Sequence, residues 1–237
     1  MNIIGIDPSI TSTGLCVNGQ LFNYSYEDSA ITKKGNLSKW FLDIEPYVSF
    51  EFHRKVNYDN YQEEQVFKLI EYKKVVTKVI DSILKTIDLN SDTIVGIEGY
   101  SYGSSAGNLI DLVQFGTLLR NELLRITTDI MIISPSTLKL ETCKMVYPPI
   151  EKEIGKKKKR IVLEHRNSEG LAGGKFTKVE MLNAIIEKDD WGNVPTNIKR
   201  YVDYLKGIEI GKNVPKPHED VNDSLLIYLY LLSMRSL

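Results

Sequence analysis

The sequence predicts an α/β protein in which one mixed sheet is covered by helices. Two observations predict this class. Near the N-terminus, three short apolar segments follow one another with turn residues between them, as in an antiparallel meander. After residue 60, segments with helical spacing of apolar residues alternate with short β-branched segments, as in parallel β-α-β units. We expect five strands in one sheet, with helices packed against it.

The meander is predicted from the first 24 residues. Residues 3–6 are short, apolar and β-branched, and are typical of a buried strand that ends at Asp7-Pro8. Residues 15–17 form the second apolar segment, and residues 21–24 the third. The Asn18-Gly19 pair between them is a strong hairpin signal.

The remaining elements are predicted from periodicity, caps and breakers. Alternation over residues 48–52 favours a further strand, which lies outside the five core strands. The other predicted elements are a helix over 63–87, a strand over 94–97, a Gly/Ser-rich loop over 99–107, a helix over 108–126, a strand over 130–133, a short helix from Ser136 to Leu140, a helix over 179–187 capped by Thr177, a helical stretch around 198–205, and a final helix from Asp220 to about Met234.

Length and composition favour one soluble domain. A chain of 237 residues with 42% hydrophobic and 26% charged residues is too apolar to be disordered. Its only cysteines, Cys16 and Cys143, exclude a disulfide framework or a cysteine zinc site. The sequence shows no signal peptide and no apolar run of membrane-spanning length, so we expect a cytoplasmic protein. A chain of this length corresponds to one large domain or two small ones, and we expect one.

A basic segment lies on an otherwise acidic chain. The net charge is −1, but residues 139–178 contain 11 Lys and Arg against five Glu. A concentration of positive charge of this kind is typical of polyanion binding. A solvated lysine-rich loop is an equally valid interpretation of the charge run alone.

Four acidic residues stand at informative places. Asp7 follows the first strand and Glu98 follows the fourth. Asp220 and Asp223 are three residues apart in a helix, and so share a face. If the two strands are neighbours, Asp7 and Glu98 meet at one edge of the sheet, and the helix completes a cluster of four carboxylates.

Such a cluster predicts a divalent cation, because carboxylates a few ångströms apart repel one another without one. Hard oxygen ligands suit Mg²⁺ or Mn²⁺. Two such ions can drive phosphodiester hydrolysis without a Cys or His nucleophile. Taken singly, Asp7 is better explained as a turn former, and Asp220 has an alternative explanation as a helix N-cap. Asp223 enters a strongly apolar stretch, where a carboxylate needs a partner.

The sequence resembles the RuvC family of Holliday junction resolvases, within the RNase H-like superfamily, at four places. Residues 4–14, IGIDPSITSTG, are very close to the family's first-strand motif. Ile97-Glu98 with the small-residue loop after it is similar to the second acidic motif. Residues 134–139, SPSTLK, are similar to a strand-end segment with a DNA-contacting lysine, and residues 220–225, DVNDSL, to the C-terminal acidic pair. The family usually has Ala at the positions of Asn222 and Ser224.

The resemblance implies an RNase H-like fold, a homodimer, Mg²⁺ (with Mn²⁺ as a substitute) and paired symmetric nicks in four-way DNA junctions. By position, Asp7, Glu98, Asp220 and Asp223 are the expected metal-binding catalytic carboxylates. Lys178 is the expected lysine near the scissile phosphate, with Lys175 as a competitor for that role. The expected DNA contacts are Lys139, Lys175, Tyr100, Tyr102, Lys156, Lys157, Lys158, Lys159 and Arg160.

Some of these assignments fall where the sequence departs from the family. The family commonly has an aromatic wedge shortly after the second acid; here Ser101 aligns with it, between Tyr100 and Tyr102. Either tyrosine would serve by stacking on a base, or both only pack. The resemblance implies that residues 1–237 form a single RNase H-like nuclease domain, with insertions relative to the family core at about 26–60 and 142–174. These insertions resemble additions that phage and viral members carry. Gly116, within the second predicted helix, indicates close packing, either inside one subunit or at a dimer contact.

Three other functions remain as alternatives. A nuclease for flaps, branched DNA generally, or RNA–DNA hybrids would use the same carboxylates. A junction-binding module without catalysis would tolerate the loss of an acid, yet all four are present. An actin/hexokinase-like phosphotransferase also begins with a strand, an Asp and a Thr/Ser-Gly turn. Pro8 argues against it, since it lacks the N–H donor expected in a phosphate-binding turn.

Overall fold

The computed structural model describes residues 1–31, 35, 38–54, 59–100, 106–155, 159–188, 190–209 and 211–235. For residues 29 and 106–108 it describes the backbone only. Its strands are β1 Asn2–Asp7, β2 Ser12–Val17, β3 Gln20–Tyr26, β4 Val48–His53, β5 Thr93–Glu98, β6 Ile130–Ile133, β7 Pro149–Ile154 and β8 Arg160–His165. Its α-helices are α1 Glu27–Ala30, α2 Lys39–Ile44, α3 Tyr61–Thr86, α4 Ala106–Leu123, α5 Pro135–Val146, α6 Lys178–Glu187, α7 Thr196–Lys206 and α8 His218–Arg235.

The predicted α/β class with one mixed sheet is confirmed. Six strands form the sheet in the order β4-β3-β2-β1-β5-β6. β1, β2 and β3 form the antiparallel meander, while β5 pairs in parallel with β1, and β6 with β5. The sixth strand is β4, which adds to the edge in parallel with β3. It is the alternating segment that stood outside the five expected strands.

Helices cover both faces of this sheet. On one face, α3 and α4 pack together over apolar side chains of the central strands, such as Ile4, Ile6 and Val95. On the other face, α8 lies across β1, β2 and β5. Helices α5, α6 and α7 belong to the same apolar layer as α8.

Three glycines allow α8 to lie directly on the sheet. A Cβ at Gly5 would lie 2.3 Å from the Ser224 carbonyl oxygen, and one at Gly14 would lie 2.0 Å from the Asp220 carbonyl oxygen. At Gly96, which pairs with Gly5, a Cβ would lie 2.5 Å from Ile227. A side chain at Gly5 or Gly14 needs space that the backbone of α8 occupies, and one at Gly96 needs space that the Ile227 side chain occupies, so the glycines set the distance between the helix and the sheet.

The described part of the basic segment contains a helix and a hairpin where the sequence indicates a loop. Helix α5 extends to Val146, well past the predicted end at Leu140, and β7 and β8 form an antiparallel hairpin after it. The hairpin escaped prediction because its apolar side chains are not on a buried face: Ile161 and Leu163 remain 67% and 68% exposed. Sequence periodicity reports burial, and this hairpin buries little.

Two helix starts also differ from the prediction. The cap of α5 is Ser134, whose side chain accepts a hydrogen bond from the Thr137 N–H, with Pro135 at the first helical position. Helix α8 begins at His218, so Asp220 lies in its first turn and is not the N-cap. Both cysteines are buried and free, as the sequence predicts. Within the described residues, no helix has the length and apolarity that crossing a bilayer requires.

Candidate active site

Three carboxylates from three elements meet at one edge of the sheet. Asp7 ends β1, and Glu98 ends the parallel neighbour β5, so both lie at the same edge. Asp223 lies in the second turn of α8, above the strands. One carboxylate oxygen from each of the three lies within 4.8 Å of the others. Asp7 and Asp223 are buried and Glu98 is partly buried.

Asp220 lies beside these three, outside the group that converges within 4.8 Å. Its Oδ1 accepts a hydrogen bond from the Lys216 ammonium, four residues earlier in the chain. Burial raises the pKa of this carboxyl above its usual value, although the Lys216 ammonium and the Ser12 side chain oppose that shift. Asp220 Oδ2, however, is buried without a well-formed hydrogen bond to any described residue. A buried carboxylate oxygen of this kind has spare capacity for a ligand.

The electrostatics of the cluster disfavour three negative charges. Burial raises the pKa of Asp7 well above its usual value, and the charges of Glu98, Asp223 and Asp220 raise it further. Burial likewise raises the pKa of Asp223 to about 7, although the Lys178 ammonium opposes this shift. The cluster therefore needs positive charge to be fully ionised at neutral pH.

Lys178 supplies one such charge. It is the first residue of α6, held there by a capping box in which Thr177 and Glu180 exchange hydrogen bonds. Its ammonium donates to Asp223 and lies 3.8 Å from Glu219. Burial lowers the pKa of Lys178, but Asp223, Asp7 and Glu98 outweigh that effect and raise it, so the amine stays charged.

The residues present fit a divalent cation. Three oxygen donors already lie close enough to share one ion, and a fourth carboxylate with an unpartnered buried oxygen lies beside them. Carboxylate oxygens of this density are the ligands that Mg²⁺ and Mn²⁺ prefer. Asp7, Glu98 and Asp223 would hold such an ion, with Asp220 as the additional ligand.

The DNA-binding residues predicted near the cluster lie on two segments that flank it. Lys139 lies on α5, whose first residues follow β6 directly. Lys175 is exposed, three residues before Lys178. Their role in DNA binding remains a prediction.

Tyr100 packs against α4. Its hydroxyl accepts a 2.9 Å hydrogen bond from Arg120, whose guanidinium also lies 4.4 Å from the ring centroid. A Cβ at Gly116 would lie 2.7 Å from the same hydroxyl, so this glycine makes room for the tyrosine within one chain. Stacking of Tyr100 on a DNA base remains a prediction, and Tyr102 lies outside the described residues.

Only two residues of the basic run, Lys159 and Arg160, are among the described residues. Lys156, Lys157 and Lys158 lie outside the described residues. Arg160 is the first residue of β8, and Lys159, directly before it, forms a 2.9 Å ion pair with Glu153 of β7. Another basic residue of the hairpin, Lys152, pairs with Glu164 at 3.0 Å. Part of the positive charge is thus neutralised within the hairpin itself.

Asn222 and Ser224, the two residues that differ from the usual acidic motif, both form hydrogen bonds through their side chains. Asn222 Oδ1 accepts a 2.9 Å hydrogen bond from the Tyr201 hydroxyl of α7. The Ser224 hydroxyl donates to the Val221 carbonyl oxygen at 2.8 Å. The Ser224 hydroxyl is thus satisfied within α8, and Asn222 is bonded to α7 through Oδ1 only, since its Nδ2 is buried without a hydrogen-bond partner among the described residues.

Sequence reasoning missed Lys216 and Glu219. Glu219 Oε2 lies 3.5 Å from the Lys216 ammonium, and Glu219 Oε1 lies 3.8 Å from that of Lys178. The i, i+4 spacing of Lys216 and Asp220 is not a helical signal, because Lys216 precedes His218, the first residue of α8. The contact therefore depends on the path of the segment before the helix.

Comparison with known proteins gives a limited result. No family model and no curated protein matches the chain. Among solved structures, Thermus thermophilus RuvC in complex with a Holliday junction substrate is similar, with a TM-score of 0.44 and 12% identity over 100% of this chain and 96% of that one. A second Thermus thermophilus RuvC structure has a TM-score of 0.43 and 14% identity over the same shares.

Proposed function

We propose that this protein is a Mg²⁺-dependent endonuclease that cuts branched DNA, with four-way junctions as its preferred substrate. The observation that carries the proposal is the convergence of Asp7, Glu98 and Asp223 within 4.8 Å, with Lys178 against them. Mn²⁺ would substitute for Mg²⁺. Similar carboxylate sets hold the ions of phosphodiester-cleaving enzymes that use no side-chain nucleophile.

The chain's own residues would divide the work of hydrolysis. Asp7, Glu98, Asp223 and Asp220 would hold the cations. When bound, the cations would activate a water and polarise the scissile phosphodiester. Lys178, which remains charged at neutral pH, would leave Asp223 and stabilise the negative charge that develops on the phosphate oxygens.

Selectivity for junctions would come from surfaces around the cluster. Lys139 and Lys175 lie on the segments that flank the carboxylate edge, and the hairpin extends the same basic region of the chain. Contacts of this kind with phosphates position a duplex without reading its sequence.

Two subunits, each with one cluster, would make the paired nicks that resolve a junction. Within each subunit, the additions at 26–60 and 142–174 would belong to one nuclease domain.

The test is cleavage of labelled synthetic DNA with and without Mg²⁺. The substrates are a four-way junction, a linear duplex, a flap and an RNA–DNA hybrid. Asp7→Asn should abolish cutting, whereas Asp203→Asn, at an exposed carboxylate on α7, should leave it unchanged. Paired nicks at the junction alone would support the proposal.

Other outcomes would replace it. Equal cutting of flaps or hybrids would indicate a general nuclease of the same chemistry. Tight junction binding without any cutting would indicate a binding module. Neither cutting nor binding would refute the nuclease and favour a phosphotransferase.

A further inference from the structure

Two lysines, rather than one, neutralise the carboxylates at the edge of the sheet. Lys178 binds Asp223, and Lys216 binds Asp220. Glu219 lies between the two ammonium groups, 3.8 Å from one and 3.5 Å from the other. Positively and negatively charged side chains therefore alternate around the first turns of α8. Lys216 enters from the segment before the helix and Lys178 from α6.

The position of Lys216 affects Asp220 directly. The Asp220 side chain is only 3% exposed, and Lys216 takes one of its two oxygens. The other oxygen is buried and lacks a well-formed hydrogen bond among the described residues. A buried carboxylate held by a single ammonium group is poorly compensated. Asp220 is thus ready to exchange that partner for a cation of higher charge.

The Lys216 side chain can also reach the surface. The side chain is 41% exposed, close to the 37% of Lys178, while its ammonium lies against Asp220 of the carboxylate site. A lysine released from Asp220 at this place would meet whatever polyanion covers the carboxylates. A flexible ammonium suits such an exchange, since its single charge can move between partners.

We propose that Lys216 is a positioning residue of the carboxylate site, binding Asp220 until a divalent cation takes that carboxylate and then contacting a DNA backbone phosphate. This rests on the proposed nuclease function and extends it to a residue that carries no motif. No covalent step is involved. Lys216 competes with the cation for Asp220, and it contributes one charge to the protein–DNA contact once the cation is bound.

Two measurements on the purified full chain test this. The first is binding of Mn²⁺ alone, followed by loss of the free-ion EPR signal without DNA. Lys216→Met removes the competitor and should tighten Mn²⁺ binding by about fivefold, the effect of one partly exposed ion pair. The second is the salt dependence of junction binding by fluorescence anisotropy in Ca²⁺, with Ca²⁺ used to limit cleavage. Lys216→Met should lower the slope of log affinity against log salt by about 1.

The controls separate this role from a structural one. Lys216→Arg keeps the charge and should bind Mn²⁺ and DNA like the wild type. Lys212→Met removes an exposed lysine four residues earlier and should change neither measurement. Thermal melts of all variants report on folding. Because Lys216→Arg retains the ion pair, a loss of Mn²⁺ binding in this variant would contradict the proposal.

The outcomes distinguish the two proposals. If the wild type binds Mn²⁺ and Lys216→Met leaves both affinity and salt slope unchanged, the role of Lys216 is refuted while the nuclease proposal stands. If the wild type binds no Mn²⁺, both are refuted. Tighter Mn²⁺ binding with an unchanged salt slope would refute the phosphate contact.

Discussion

Replacing Gly5 by Ala should damage the candidate site without touching any of its side chains. The new methyl group would lie 2.3 Å from the Ser224 carbonyl oxygen and 2.6 Å from the Tyr228 nitrogen, both in the backbone of α8. An ordinary contact between carbon and oxygen is about 3.3 Å, so the helix must move away from β1 by about 1 Å. Asp223, the residue before Ser224, moves with it.

The displacement of α8 should lower both the stability of the fold and the rate of cleavage. Forcing a methyl group into a packed interface costs about 1–3 kcal/mol. For a chain of this size, that cost lowers Tm by roughly 2–12 °C. A shift of about 1 Å in a catalytic group can also cost about 100-fold in rate. We therefore expect Gly5→Ala to remain folded at 25 °C but to nick DNA about 100-fold more slowly.

The assay pairs thermal unfolding with single-turnover cleavage of the labelled junction. Gly211→Ala is the matched control, because a Cβ there meets no atom within 4 Å. It should leave both measurements unchanged. A Gly5→Ala protein with wild-type Tm and wild-type rate would refute the claim that the glycines set the position of α8.

The other predictions concern charge. Burial raises the pKa of Asp223 to about 7, so the folded protein binds this proton more tightly than the unfolded chain does. That stability is complete below pH ~4, the ordinary carboxyl range, and is lost as pH rises through 7. In EDTA, Tm should therefore fall between pH 5 and pH 8, with a flatter profile in Asp223→Asn; an equal fall in that variant would contradict the assignment. Mg²⁺ should raise Tm more at pH 8 than at pH 5, as differential scanning fluorimetry would show, and no stabilisation at pH 8 would argue against a cation site. On the hairpin, Arg160→Ala should lower the salt slope of DNA binding by about 1, measured by anisotropy, while Lys159→Ala should lower it less because Glu153 already neutralises Lys159. Equal slopes for both variants and the wild type would remove the hairpin from the DNA contact.

Much of the carboxylate edge could be predicted from the sequence because it follows from strand ends. Asp7 and Glu98 each terminate a short β-branched segment, and the parallel pairing of β1 with β5 brings them to one edge. Asp223 could be placed near them because a charge among the apolar residues of α8 needs partners. These inferences use only periodicity and the cost of burying charge.

The features that could not be predicted depend on contacts that leave no periodic pattern of apolar residues in the sequence. The hairpin strands have exposed apolar residues, so their pattern does not indicate a face. The ion pair of Lys216 with Asp220 depends on where α8 begins, two residues before the predicted start. The position of Tyr100 after Glu98 predicts a contact with DNA. Its contacts with Arg120 and Gly116 are visible only in the three-dimensional structure.

Because the site is complete only when α8 packs on the three glycines, the order of synthesis determines when the site can form. Helix α8 follows every strand of the sheet along the chain, so Asp7 and Glu98 leave the ribosome long before Asp223. A nascent chain that has already folded its meander and β5 still lacks the third carboxylate. If the cluster cuts DNA as we propose, the chain acquires that ability only when α8 packs on the sheet, and a chain that ends before α8 would lack it.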